Sequence, residues 1–398
     1  MLLGFAELLI LGFVVEWVCR RCSLPGLVGM LALGLLVGVS GFNCVSSKVL
    51  SSSSDLRLLA LVIILLRAGL QVERRVLPQI GYRSLMLAIL PGLCEGLSIA
   101  FLASYWLPLS GLEAAMLGFI IAAVSPAVIV PQMIELQENN RGMKKGIPTM
   151  VLLAASLDDV VAIMIFSVLL GIYSADQSGV MQVISAAPIY VIGGIVVGIV
   201  CGYGFIHLCK RCNPRATKRV LVLIAVSLLL IRVESIFSGG STQYGALIAI
   251  LVMGAFILLR QAEYAHEIGR KLSKVWILAA LFLFVIMGAQ VDISLAGQVG
   301  WRGVGIILCG LLVRSAIVYG TLLGSALNYR ERLFVVISFW PKATVQAAVG
   351  AAPLMLLAAQ GRDLFAGELI LAMAFLSILI TAPLGAISIN WAADRCLN

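Results

Sequence analysis

Charge is what this 398-residue chain has least of: Asp, Glu, Lys and Arg make up 12% of it, against about 25% in an ordinary soluble domain. That scarcity, beside 61% hydrophobic residues and a mean hydropathy of +1.09, excludes a water-soluble enzyme carried on a membrane anchor. Histidine is nearly absent, with only His207 and His266 near the ends of apolar runs, so no imidazole cluster is available to a transition metal. Neither HExxH nor GxSxG occurs, which leaves an intramembrane hydrolase without a metal or a nucleophile. The nine cysteines are scattered and predict no structural disulfides. The pairs Cys19/Cys22 and Cys209/Cys212 have the spacing of half zinc sites, but Arg20, Arg21, Lys210 and Arg211 inside them favour ordinary thiols beside lipid headgroups.

What the chain does have is a succession of apolar runs. Clusters of charge, Pro, Ser and Asn cut it into thirteen segments, from 2–18 to 364–394, each close to the roughly 20 residues that span hydrocarbon. The prediction is an all-α integral membrane protein forming one transmembrane unit over 1–398. Lys48, Arg57, Arg232, Arg302 and Arg362 fall on connections of one side, while nearly all the other Lys and Arg fall on the opposite side. Basic residues mark cytoplasmic loops, so the N-terminus is expected outside and the C-terminus in the cytoplasm. Net charge is +9 and reads as this topology, with no nucleic-acid partner implied.

Thirteen segments divide into a first repeat of six (1–179), a linker helix (180–212) and a second, inverted repeat of six (213–398). The fifth segment, 112–134, carries Ser125, Pro126 and Pro131 in mid-span, and its partner seven later, 331–358, carries Pro341, Lys342 and Thr344. Paired interruptions at corresponding positions of two halves point to a transporter site built from crossed, broken helices. Gly194, Gly198 and Gly202 in 180–208 form a close-packing face, for a dimer or for the bundle.

Five charges remain near the middle of these spans. Asp158 and Asp159 lie at the centre of 147–173, Glu95 at the centre of 83–107, Arg314 in 299–326 and Lys342 after the second break. One ionised residue at a helix centre costs on the order of 2.5 to 3.5 kcal/mol on insertion scales, so two adjacent carboxylates require a cation or a proton. Glu95 and Arg314 are expected to form an ion pair, and Lys342 to offset exposed carbonyls or to pair with Asp158. Three carboxylates against two cations leave the set one positive charge short. A proton and a bound Na+ or Li+ competing for that charge are the minimal chemistry of an antiporter, with Asp159 the carrier and Asp158 and Ser125 helping to coordinate the ion through hard oxygens. No cofactor is called for beyond the transported Na+ or Li+ and H+.

At these residues the chain resembles the NHA group of sodium/proton antiporters in the cation:proton antiporter superfamily, and within it the sodium/hydrogen exchangers of the 9B class. The matching stretches are ILLRAGL at 64–70, AVSPAVIVPQM at 123–133, ASLDDVVAI ending at Ile163, FWPKATVQAA at 339–348 and AFLSILITAP at 374–383. The resemblance implies a homodimer, alternating access, an ion site at Asp158 and Asp159, and a pair of Glu95 with Arg314, which stands where many bacterial relatives have lysine. Arg67 of ILLRAGL and Gln290, which stands in MGAQV where the animal proteins are expected to have an acid, are candidate gating residues. Animal relatives carry an additional N-terminal helix and soluble tails, so a chain without them suggests a prokaryotic inner membrane. Because arginine does not release its proton, one-for-one electroneutral exchange is expected. The alternatives are a K+/H+ antiporter or a sodium-coupled organic-solute transporter on the same fold.

Overall fold

The computed structural model describes residues 2–21, 25–38, 41–42, 53–71, 82–174, 180–237, 245–291 and 293–397. Described residues are helical or in short connections, with no strand among them. The helices are α1 (Leu2–Arg21), α2 (Gly26–Val37), α3 (Ser53–Gln71), α4 (Tyr82–Trp106), α5 (Gly111–Ala122), α6 (Pro126–Glu138), α7 (Ile147–Ser174) and α8 (Val180–Cys212). They continue as α9 (Ala216–Phe237), α10 (Ala246–Arg260), α11 (Ala262–Gln290), α12 (Ile293–Thr321), α13 (Tyr329–Ser338), α14 (Thr344–Val349), α15 (Ala352–Gln360) and α16 (Phe365–Cys396). Among the described residues seven helices are long and apolar enough to cross a membrane, and Gly26–Val37, Ala246–Arg260 and Thr344–Gln360 are shorter apolar helices.

The chain divides into two compact units. The first comprises Met1–Ser54, Ile80–Ala162 and Ala280–Asn398; the second comprises Asp55–Gln79 and Ile163–Ala279. In the first unit α4 packs along α5 and α12, and α16 lies against α12, α13 and the short helices around the two breaks. Its core joins Leu87 and Ala88 of α4, Ile129 and Met133 of α6, Val151 and Ala154 of α7, Phe334 and Val335 of α13, and Ile389 of α16. Close approach of α2 to α11 depends on glycine: a Cβ on Gly34 or Gly288 would run into the backbone at Val285 or Leu31.

Two helices of this unit start alike and stop alike. Ser110 accepts from the Glu113 N–H and donates its own N–H to the Glu113 carboxylate at 2.7 Å, a reciprocal cap that opens α5. Asn328 and Glu331 repeat the arrangement at the start of α13. After about three turns each helix is broken by proline. Pro126 occupies the first turn of α6, where a missing N–H costs nothing, and holds Ser125 in extended conformation (φ −92°, ψ 108°). Pro341 breaks the second helix, leaving Phe339–Ala343 outside any helix before α14 begins at Thr344.

In the second unit α8 packs along α10. The glycine face of α8 meets α10 directly: Gly194 lies against the Gly245 carbonyl and Ile248, Gly198 against the Ala249 carbonyl and Gly202 against Phe256. This stripe is therefore spent inside the unit. Gly69 of α3 makes an equally close approach to Leu251 of α10.

Candidate functional site

The two interruptions meet. Ser125 donates its backbone N–H to the Pro341 carbonyl at 2.8 Å, so the broken helices cross where each has lost its own hydrogen bonds. The last carbonyls of α5 point into this crossing without intrahelical donors, and three side chains from elsewhere supply them. Arg314 Nη1 and Lys342 Nζ both donate to the Ala122 carbonyl, at 2.7 and 2.8 Å. Gln346 Nε2 donates to Ala123 at 2.7 Å and lies within 3.0 and 3.2 Å of the Ile120 and Ile121 carbonyls. On the other strand of the crossing, the Lys342 N–H donates to Thr381 Oγ1 of α16.

Four of the five mid-span charges form one connected cluster, completely buried. Glu95 Oε2 accepts from Arg314 Nη1 and from Lys342 Nζ, each at 2.7 Å. Asp158 Oδ1 lies 2.7 Å from Arg314 Nη2, and its Oδ2 accepts the Val124 N–H at 3.2 Å. Arg314 thus bridges the two carboxylates, and its guanidinium carbon sits 5.5 Å from the Phe339 ring centroid. Two carboxylates and two cations cancel. A cluster so matched in charge is hard to dismantle, because removing one member strands a charge in a medium that solvates it poorly.

Asp159 stands outside this balance. It is 4% exposed, and its Oδ1 makes no hydrogen bond among the described residues. Ser125 Oγ and Thr344 Oγ1, at the start of the two helices that leave the crossing, are likewise buried without a partner, as is Gln346 Oε1. Buried polar oxygens in native proteins are nearly always satisfied. The Asp159 carboxylate and the Ser125 and Thr344 hydroxyls are hard oxygens of the kind that suit a small cation or a proton. Among the described residues no group of three or more His, Cys, Asp or Glu side chains could hold a metal ion, so hydroxyl, amide or backbone oxygens must complete any cation shell.

The other residues singled out by sequence fall as follows. Glu95 and Arg314 are brought together; Lys342 lies on Glu95 and on the Ala122 carbonyl, while Asp158 is taken by Arg314. Pro126 and Pro341 form the breaks, with Thr344 opening α14. Gln290 ends α11, half-buried. Arg67 belongs to the second unit, where its guanidinium faces Trp276 at 5.4 Å. Cys22 lies outside the described residues; Cys209 and Cys212 are free thiols. Sequence reasoning missed Gln346, a neutral amide invisible to a count of charges, although its place three residues after Ala343 in an apolar run marks it. It also missed Glu234 of α9, which accepts from the Ala246 N–H at 3.3 Å and bonds the Tyr190 phenol within the second unit.

Comparison with known proteins identifies the family. The family profile described as "Sodium/hydrogen exchanger, transmembrane" matches residues 8–395. The chain belongs to the sodium/hydrogen exchanger family. It is 33% identical over 381 residues to sodium/hydrogen exchanger 9B2 of Pongo abelii, covering 94% of this chain and 70% of that protein. Against the human 9B2 and 9B1 exchangers the identities are 32% over 380 residues and 31% over 383. In three dimensions the chain is similar to the sodium proton antiporter MjNhaP1 of Methanocaldococcus jannaschii, with a TM-score of 0.83 at 20% identity, over 99% of this chain and 98% of that one. The exchanger family comprises membrane transporters, not enzymes, and the all-helical antiporter fold agrees with the reading of the sequence.

Proposed function

We propose that this exchanger is a secondary antiporter that moves Na+ or Li+ against H+ by alternating access, with cation and proton competing for one carboxylate, Asp159. One observation carries the proposal. The four other buried charges neutralise each other through contacts of 2.7 Å, and Asp159 is left, among the described residues, as the buried mid-span carboxylate without an ion pair. Such a group is tolerated at the middle of a membrane only when a proton or a cation neutralises it, and occupancy by one excludes the other.

Asp158 in this reading is the fixed neighbour: it holds Arg314 and the Val124 N–H, and so anchors α7 to the crossing. Ser125 and Thr344 offer the oxygens that replace part of the ion's hydration shell. Carboxylate and hydroxyl oxygens of this kind suit Na+ or Li+. Arg314 keeps its proton when the cation arrives, and with Asp159 as the one carrier, exchange is one for one and electroneutral. The same reading makes the two broken helices counterparts in inverted repeats, the protein a homodimer, and its place a cell membrane with the N-terminus outside and the C-terminus in the cytoplasm.

The test is reconstitution into liposomes with an imposed pH gradient and a pH dye inside. Addition of NaCl or LiCl is expected to collapse the gradient in wild type and to leave it standing in Asp159→Asn. Movement driven by KCl alone changes the cargo. Absence of any cation-driven proton movement from folded wild type refutes the antiporter.

A further inference from the structure

Gly92 lies in α4 one turn before Glu95, directly after Pro91, and both are buried. Proline denies the helix a donor and glycine is the poorer helix former, so this pair weakens α4 at its centre for no benefit to the helix itself. The gain is across the interface. A Cβ placed on Gly92 would stand 2.5 Å from Asp158 Oδ1 and 3.4 Å from its Cγ, closer than real Cβ atoms approach oxygen. Asp158 has little freedom to retreat, since Oδ1 is on Arg314 and Oδ2 on the Val124 N–H. The bare Cα at position 92 is the wall against which this carboxylate is seated.

We propose that Gly92 is a positioning residue: by leaving room for the Asp158 carboxylate on Arg314, it fixes which of the two adjacent aspartates is structural and leaves Asp159 to carry the ion. The inference rests on the reading of Asp159 as carrier. The charged groups that face the pair are Glu95 from α4, Arg314 from α12 and Lys342 from the second break; the segment Ala123–Pro126 contributes an N–H and no charge. If Asp158 is pushed off Arg314, the four charges still sum to zero, but the guanidinium loses its nearest compensation on that side and its positive field falls more strongly on Asp159. That field competes with sodium and with the proton for the same carboxylate.

The test compares Gly92→Ala with Gly96→Ala, one turn on in the same helix, where the atoms nearest the added methyl belong to the Phe119 ring, at 2.8 Å. In liposomes Gly92→Ala is expected to raise the KM for sodium by about threefold or more, equivalent to roughly 0.7 kcal/mol, and to move the pH profile of exchange toward acid. Gly96→Ala is expected to lower thermal stability while keeping the wild-type KM and profile. Equal changes in both variants, or a wild-type KM and profile in Gly92→Ala, overturn the proposal. If Gly92→Ala does not fold, the substitution is repeated on Asp158→Ala, where no carboxylate remains to collide: the double variant is expected to melt no lower than Asp158→Ala, and a further loss shows that Gly92 acts through packing alone. Should wild type itself show no sodium-driven proton movement, the carrier reading fails first, while the melting comparison still judges the contact between Gly92 and Asp158.

Discussion

Neutralising two buried carboxylates of the same site is expected to move stability in opposite directions. Glu95→Gln keeps the shape of the side chain and removes its charge. Glu95 Oε2 serves Arg314 and Lys342 at 2.7 Å each, and at an effective dielectric of about 20 each contact is worth roughly 6 kcal/mol of Coulomb energy. Most of that is offset by the cost of keeping the carboxylate from water, and breaking buried pairs of this kind leaves a net loss of about 3 to 5 kcal/mol. At about 2 °C per kcal/mol the melting temperature should fall by roughly 6 to 10 °C. Asp159→Asn removes a charge that has no ion-pair partner, so its melting temperature should equal or exceed that of wild type. Sodium should raise the melting temperature of wild type, because ligand that binds only the folded state stabilises it, and should fail to do so in Asp159→Asn. The assay is thermal unfolding of detergent-purified protein followed by size exclusion, with and without NaCl. A stable Glu95→Gln beside an unstable Asp159→Asn would mean that the structural and carrier roles are exchanged, and the assignment would fall.

Other consequences are tested in the same preparations. Gln346→Ala removes the donor that covers the Ala123, Ile120 and Ile121 carbonyls, with an expected loss of about 1 to 3 kcal/mol and slower exchange at unchanged sodium KM. Gly198→Leu, which would drive a side chain into the Ala249 carbonyl and Val252, should lower stability or yield while any folded protein keeps the wild-type sodium KM and pH profile. One-for-one exchange should give no sodium-dependent current on a solid-supported membrane, and a steady current abolished by Asp159→Asn would refute electroneutrality.

Much of the site was legible because membranes penalise charge so heavily that every mid-span ion must be accounted for. The sum of five charges needs no knowledge of which residues touch, and the deficit of one positive charge came from the sequence intact. The pairing came only in part. Sequence reasoning coupled Glu95 to Arg314, which the structure shows, and gave Lys342 either exposed carbonyls or Asp158; in the structure Glu95 holds both cations and Arg314 spans both carboxylates, a sharing that depends on the approach of α4, α7 and α12. The breaks were visible through Pro126 and Pro341, since proline cannot supply the missing donor wherever the chain is folded. Lys342 was read from the sequence as a group that could offset exposed carbonyls, and it covers that of Ala122; that Gln346 and Arg314 converge on the same end of α5 was not visible, because the carbonyls belong to alanine and isoleucine. Gly92 was equally silent: a glycine in a membrane helix carries no mark of the carboxylate that will press against it.

The most direct measurement of the central claim is proton release on cation binding. Purified protein in weak buffer with a pH indicator is mixed with NaCl, near the pH at which exchange is half-activated, and the protons released are compared with the chains present. Wild type is expected to release a proton for each sodium ion bound, Asp159→Asn to release none, and Asp158→Asn, if folded, to retain release. Undiminished release from Asp159→Asn would contradict the account, because the proton displaced by sodium would then come from another group.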